Sequence, residues 1–133
     1  MSAENVAVVQ RGYEALASGD IEGFLAVLDP QIEWVHPAGL PYGGTHRGLA
    51  GVQEVLGLWG ETYEEMQVVP EEFLDAGDSV VVVGRYRVRP RGGEELETWF
   101  VNIFDLAGGK VTRFRDYSDK AVRLAPVFDA TAG

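Results

Sequence analysis

Midway along this chain the apolar residues change their period from about 3.6 to 2, and that change constrains the fold more than any other feature. Before it, Val6, Val9, Tyr13 and Leu16 recur at helical spacing over Val6–Ser18. Ile21, Phe24, Leu25 and Leu28 do so over Ile21–Leu28, and Val52, Val55, Leu56 and Trp59 over Leu49–Trp59. Ser18-Gly19-Asp20 ends the first helix and caps the second: glycine accepts a left-handed turn, and the Asp20 carboxylate can accept from free amides. Asp29-Pro30 stops the second helix. Between the second and third helices Gln31–His36 alternates as a strand, with Ile32, Trp34 and His36 on one face. Residues 37–48, rich in proline and glycine, read as loop.

After the change, Met66–Leu74, Ser79–Arg89, Glu94–Leu106 and Lys110–Ser118 read as strands. The turns at residues 75–78, 90–93 and 107–109 are too short for parallel crossovers, so they predict an antiparallel meander. Helices followed by a long antiparallel sheet make an α+β protein. One face of the sheet should pack on the helices. Val80, Val82, Trp99, Val101 and Ile103 fall to the other, which is too apolar to stay wet. A homodimer across a two-fold axis would cover it, or the segment Ala121–Phe128 folding back.

With 133 residues the chain fits a single domain spanning 1–133, long enough for a core without staples. It has no cysteine, which excludes disulfides, thiolate metal sites and cysteine nucleophiles. The 21 acidic against 11 basic residues give a net charge of −10, the wrong sign for a nucleic-acid partner or an anionic membrane. No apolar run approaches the ~18 residues of a membrane span, and the N-terminus lacks a basic, apolar leader, so a soluble cytoplasmic protein is expected. No GxGxxG, GxxxxGK or GxSxG motif is present, so neither a nucleotide cofactor nor a serine hydrolase is expected. His36 and His46 do not form part of a HExxH motif or a facial triad, and no metal is expected.

Three stretches carry a resemblance: VVQRGYEALASGDIEGFLAVL near the start, EWVHPAG at the first strand, and VNIFDLAGGKVTRFRDYSD at the end. On these the chain resembles the SnoaL-like branch of the nuclear transport factor 2-like superfamily, which includes polyketide cyclases, ketosteroid isomerase and limonene epoxide hydrolase. The resemblance implies a curved antiparallel sheet wrapped by three N-terminal helices into a cone with an internal, mostly apolar pocket. It carries over unevenly to the residues. The base position of the isomerase holds His36, its oxyanion-hole tyrosine falls on Gly12 with Tyr13 next to it, and its aspartate falls on Asn102. Asp116 and Arg85 match two members of the epoxide hydrolase set, whose second aspartate is here Arg87. Its tyrosine and asparagine are Trp34 and His36. SnoaL-like cyclases work with a pocket histidine and aspartate, and that is the nearest analogy.

Within such a pocket His36 and Asp116 are the candidate catalytic residues. A histidine of ordinary pKa serves as acid or base near neutrality, and a carboxylate on an apolar face is costly unless it is paired. Arg85 is expected on the same inner face as Asp116, neutralising it or binding a substrate oxyanion. Tyr13, Trp34, Trp59, Phe100, Asn102 and Phe104 would line the cavity with them. Each has a plainer reading as core aromatic, buried ion pair or satisfied amide. Two functions stay open. One is a cofactor-free enzyme that isomerises, cyclises or hydrates an apolar carbonyl-bearing molecule. The other is a non-catalytic pocket protein that binds an apolar ligand or steadies a partner subunit.

Overall fold

The computed structural model describes residues 2–120 and 123–124. The elements run α1 (Ser2–Ser18), α2 (Ile21–Ala26), β1 (Leu28–His36), β2 (Gly44–Arg47), α3 (Gly48–Thr62), β3 (Tyr63–Ala76), β4 (Ser79–Pro90), β5 (Leu96–Ala107) and β6 (Lys110–Ser118). The six strands form one sheet in the order β2-β1-β6-β5-β4-β3. β3 to β6 are the expected antiparallel meander, whereas β1 joins the far side of β6 in parallel. The helices cover the concave face of the sheet and close the cone. No helix of the described residues is long and apolar enough to cross a membrane.

Local chemistry explains most boundaries. Gly19 takes φ 75°, and Asp20 Oδ1 accepts from the Gly23 amide at 2.9 Å, so one helix ends and the next begins within two residues. α2 is shorter than its apolar pattern predicts. Leu28 leaves it to pair with Val111, and an irregularity between Leu28 and Glu33 absorbs Pro30, which has no amide to offer a ladder. Residues 37–48 are not loop throughout. Gly44, at φ 90°, turns the chain back so that Gly44–Arg47 pairs antiparallel with β1. The edges are the short β2 and the long β3, and a bulge at Pro70 together with Glu64, Glu65, Glu71 and Glu72 blunts β3 against pairing with another chain.

The β4–β5 register decides which side chains share a face. Val80 lies opposite Phe104, Val82 opposite Asn102, Gly84 opposite Phe100 and Tyr86 opposite Thr98. All of these pairs point inward, and Val80 and Val82 are fully buried. Their expected place on the outer face is therefore wrong by one residue, which in a strand is a whole face. The outer face is Val81 with Ile103, Val83 with Val101, and Arg85 with Trp99. Of the segment 121–128 considered as its cover, all but Arg123 and Leu124 lies outside the described residues, and Leu124 is buried in the core.

Gly84 marks a close approach. A Cβ there would sit 2.3 Å from the Val69 carbonyl oxygen and 2.6 Å from Phe100 Cζ. Gly84→Ala should thus force β3 or Phe100 to shift and lower stability by roughly 2 kcal/mol, read as a fall in the urea midpoint. Unchanged stability would mean that the sheet yields there freely.

Candidate functional site

The inner face of β6 presents Phe114, Asp116 and Ser118, and Asp116 sits directly opposite Asn102 of β5. Its side chain is fully buried, yet donors surround the carboxylate. Oδ1 accepts from Asn102 Nδ2 at 2.8 Å and from the Tyr86 hydroxyl at 3.0 Å. Oδ2 accepts from Ser118 Oγ at 3.1 Å, faces His36 Nδ1 at 3.3 Å and lies 3.7 Å from Lys120 Nζ. Burial alone would push this acid up. The His36 hydrogen bond, the Lys120 charge and the Tyr86 hydroxyl outweigh it and hold Asp116 below the ordinary carboxylate range.

Hydrogen-bond logic fixes the state of His36. The indole of Trp34 can only donate, and its Nε1 lies 2.8 Å from His36 Nε2. That nitrogen must therefore be unprotonated, so Nδ1 carries the hydrogen that points to Asp116. The imidazole is neutral, and its pKa is pushed down to about 4 by burial and the Lys120 charge, with Asp116 offsetting only part of this. Both ring nitrogens are engaged. The ring itself is enclosed by Tyr42, Phe114 and Trp59, at centroid distances of 4.9, 5.6 and 5.9 Å.

Lys120 follows β6 and returns its ammonium to the same centre. Nζ donates to the Tyr42 hydroxyl at 3.0 Å and lies 3.8 Å from the centre of the Tyr86 ring, a cation–π contact. Burial lowers its pKa to about 8, and Asp116 keeps it from falling further. The Tyr42 hydroxyl continues to Tyr63 at 2.7 Å. Burial raises the pKa of Tyr13, Tyr42, Tyr63 and Tyr86, so all four phenols stay protonated.

The cavity lies one layer above this network. Tyr13, Trp34, Trp59, Tyr86, Asn102, Phe104 and Phe114 wall it, together with aliphatic side chains such as Val9, Leu16 and Val68. Its volume is small, about 30 Å³, so it is a narrow slot between closely set walls. A second, outer hollow adjoins it and shares Leu16 of α1, Trp59 of α3 and Val68 of β3 as walls; we take it as the mouth. The polar wall is the Tyr13 hydroxyl, which donates to Asn102 Oδ1 at 2.7 Å.

Of the residues singled out in the sequence, His36 and Asp116 meet, but in a sealed layer and not on the cavity wall. Tyr13, Trp34, Trp59, Asn102 and Phe104 do line the cavity. Phe100 does not; it packs at 4.4 Å against the Tyr86 ring, beside Gly84. Arg85 is on the outer face, bonded to Glu97 at 2.5 Å and Glu71 at 3.0 Å, so it cannot reach Asp116. Strand alternation explains this: Arg85 is odd-numbered on a strand whose even-numbered residues point inward. Lys120 is the cation that Arg85 was expected to supply. The sequence reading missed Tyr86, Tyr42 and Tyr63, while Ser118 follows from the alternation that also turns Asp116 inward. The alternation that exposes Arg85 and Arg87 would have turned Tyr86 inward. His46 lies on β2 with Nε2 2.9 Å from the Tyr42 carbonyl and touches neither His36 nor Asp116 through a hydrogen bond.

Residues 9–114 match the SnoaL-like domain family, and the chain belongs to it. A nuclear transport factor 2-like protein of unknown function from Burkholderia pseudomallei superposes with a TM-score of 0.85 at 33% identity, covering 91% of this chain and 95% of its own. TerC, crystallised with polyporic acid, gives 0.85 at 34%, covering 90% and 95%. IdmH of Streptomyces antibioticus, a proposed polyketide cyclase, shares the fold with a TM-score of 0.76 at 21% identity, covering 92% and 97%.

The folded protein holds His36 neutral down to about pH 4, whereas the unfolded chain protonates it near 6.5. Between those values the unfolded state binds the extra proton, so stability falls as pH drops from 6.5 toward 4, by roughly 3 kcal/mol from this group. Urea unfolding at pH 7, 5.5 and 4 should show that loss, and His36→Gln should lack it. A variant that loses as much as the wild type would contradict the assignment. Arg85→Gln should leave the His36 titration unmoved, and an NMR titration that moves it would place Arg85 in the network after all.

Proposed function

We propose that this SnoaL-like protein binds a largely apolar small molecule in its cone cavity, and that the Asp116 network is the rigid floor of that cavity. The observation that carries this reading is the position of Trp34. Its ring lines the cavity, and its N–H occupies the one imidazole nitrogen that Asp116 does not face. A general base must come within hydrogen-bond reach of the proton it removes, and His36 is 2% exposed behind that indole. TerC, 34% identical, was crystallised with polyporic acid, which supports an organic small molecule as the ligand class.

The second reading is acid/base isomerisation, cyclisation or hydration of an apolar carbonyl compound. Two things favour it: the family relation to polyketide cyclases, and three buried ionisable groups one layer beneath the cavity. It requires Trp34 to swing away and free His36 Nε2.

The binding reading is tested with the neutral fluorophore N-phenyl-1-naphthylamine. Saturable one-to-one binding is expected, and Leu16→Trp, which sets an indole in the mouth, should weaken it at least about tenfold. Binding that Leu16→Trp does not change would contradict the cavity as the site.

We also propose that two copies associate through the outer face. Trp99 and Tyr117 are 60% and 54% exposed there, beside Val81, Val83, Val101 and Ile103. A dimer is expected by sedimentation at micromolar concentration, with Trp99→Glu monomeric. A monomeric wild type would overturn this.

A further inference from the structure

The Trp59 indole carries a donor that belongs to none of the hydrogen bonds of the network. Its Nε1 is buried and, among the described residues, has no hydrogen-bond partner. Buried donors are rarely left that way, and each such case calls for an explanation. The ring stands where the explanation would lie, on the wall shared by the cavity and its mouth. The other polar groups of that wall are engaged. The Trp34 N–H goes to His36, the Tyr13 hydroxyl to Asn102, the Tyr86 hydroxyl to Asp116, and the Asn102 amide to Tyr86 and Asp116.

The charges around the cavity narrow the class of partner. Among the described residues no Asp, Glu, Lys or Arg lines it, and the charged residue in the adjoining hollow is Glu64. An anionic ligand would lose its hydration there and gain no cation in return. The aromatic walls, with Tyr13 edge-on to Phe104 at 5.7 Å and Trp34 stacked on Phe114 at 3.8 Å, suit a flat ring system.

Resting on the binding reading above, we infer that Trp59 is the specificity-determining residue of the cavity, and that its indole N–H donates to a carbonyl or ether oxygen of a neutral, flat, otherwise apolar ligand. A hydrocarbon of the same shape leaves that donor unmade, and a carboxylate brings a charge that the walls cannot balance.

Three probes of matched shape test this: 2-acetonaphthone, its alkene isostere 2-isopropenylnaphthalene, and 2-naphthoate. Affinities are measured by calorimetry on the wild type, Trp59→Phe and Leu16→Trp. The preference for ketone over alkene should fall roughly three- to tenfold in Trp59→Phe, while alkene affinity changes less than about twofold. Naphthoate should bind the wild type at least about tenfold more weakly than the ketone. In the wild-type protein, the Trp59 indole N–H resonance, assigned by its loss in Trp59→Phe, should move downfield with the ketone and not with the alkene. An unchanged ketone preference in Trp59→Phe, or an indole signal that ignores the ketone, overturns the role of Trp59 and leaves the cavity standing. If neither neutral probe binds, or Leu16→Trp does not weaken them, the cavity reading falls and this inference with it.

Discussion

A carboxylate at the centre of the sheet, withdrawn from water, is the constraint on which the rest of this structure depends. Asp116 can remain ionised there only if protein groups replace its hydration, and they come from almost every layer of the fold. β1 supplies His36, β4 Tyr86, β5 Asn102, β6 Ser118, and Lys120 comes from just beyond β6. The strands must hold their register for these groups to converge. A slip of one residue in β5 would turn Asn102 outward and leave both Asp116 and Tyr13 short of a partner. Such a network is demanding: removing one member of a buried charged pair typically costs about 3–5 kcal/mol, because the other is left uncompensated.

The same closure shapes what the protein can do. His36 is held as a neutral imidazole of one tautomer by an acid on one side and an indole on the other, and so is taken out of the cavity. Among the described residues, the network meets the cavity wall at Trp34, Tyr86 and the Tyr13–Asn102 pair. The cavity is therefore an apolar slot on a polar, rigid floor. That arrangement suits recognition, since the groups facing a ligand are pre-positioned and pay little further ordering entropy on binding.

How far the sequence reveals this depends on the kind of information involved. The helices, the meander and the α+β class follow from local periodicity and turn chemistry, which short stretches such as Gly19-Asp20 carry in full. The parallel pairing of β1 with β6 joins segments about eighty residues apart and leaves no local mark. Nor do residues 37–48 announce a strand, since Gly44–Arg47 pairs only because β1 is there to receive it. His36 and Asp116 stand out as polar groups on apolar faces, and their meeting is legible once the fold is known. Arg85 misleads because three arginines alternate with Tyr86 and Val88, and the pattern alone does not say which set faces the core. Lys120 lies past the last strand, where no periodicity applies, and only the three-dimensional path returns it to Asp116.

The central claim, that Asp116 and Trp34 together seal His36 as a neutral Nδ1–H imidazole, is tested most directly by ¹⁵N NMR of the labelled imidazole between pH 4 and 8. His36 should show an unprotonated Nε2 and a protonated Nδ1 at pH 7 and keep both signals down to about pH 5. A His36 that titrates near 6.5, or one that carries its proton on Nε2, would contradict it and return the imidazole to the cavity as an available base.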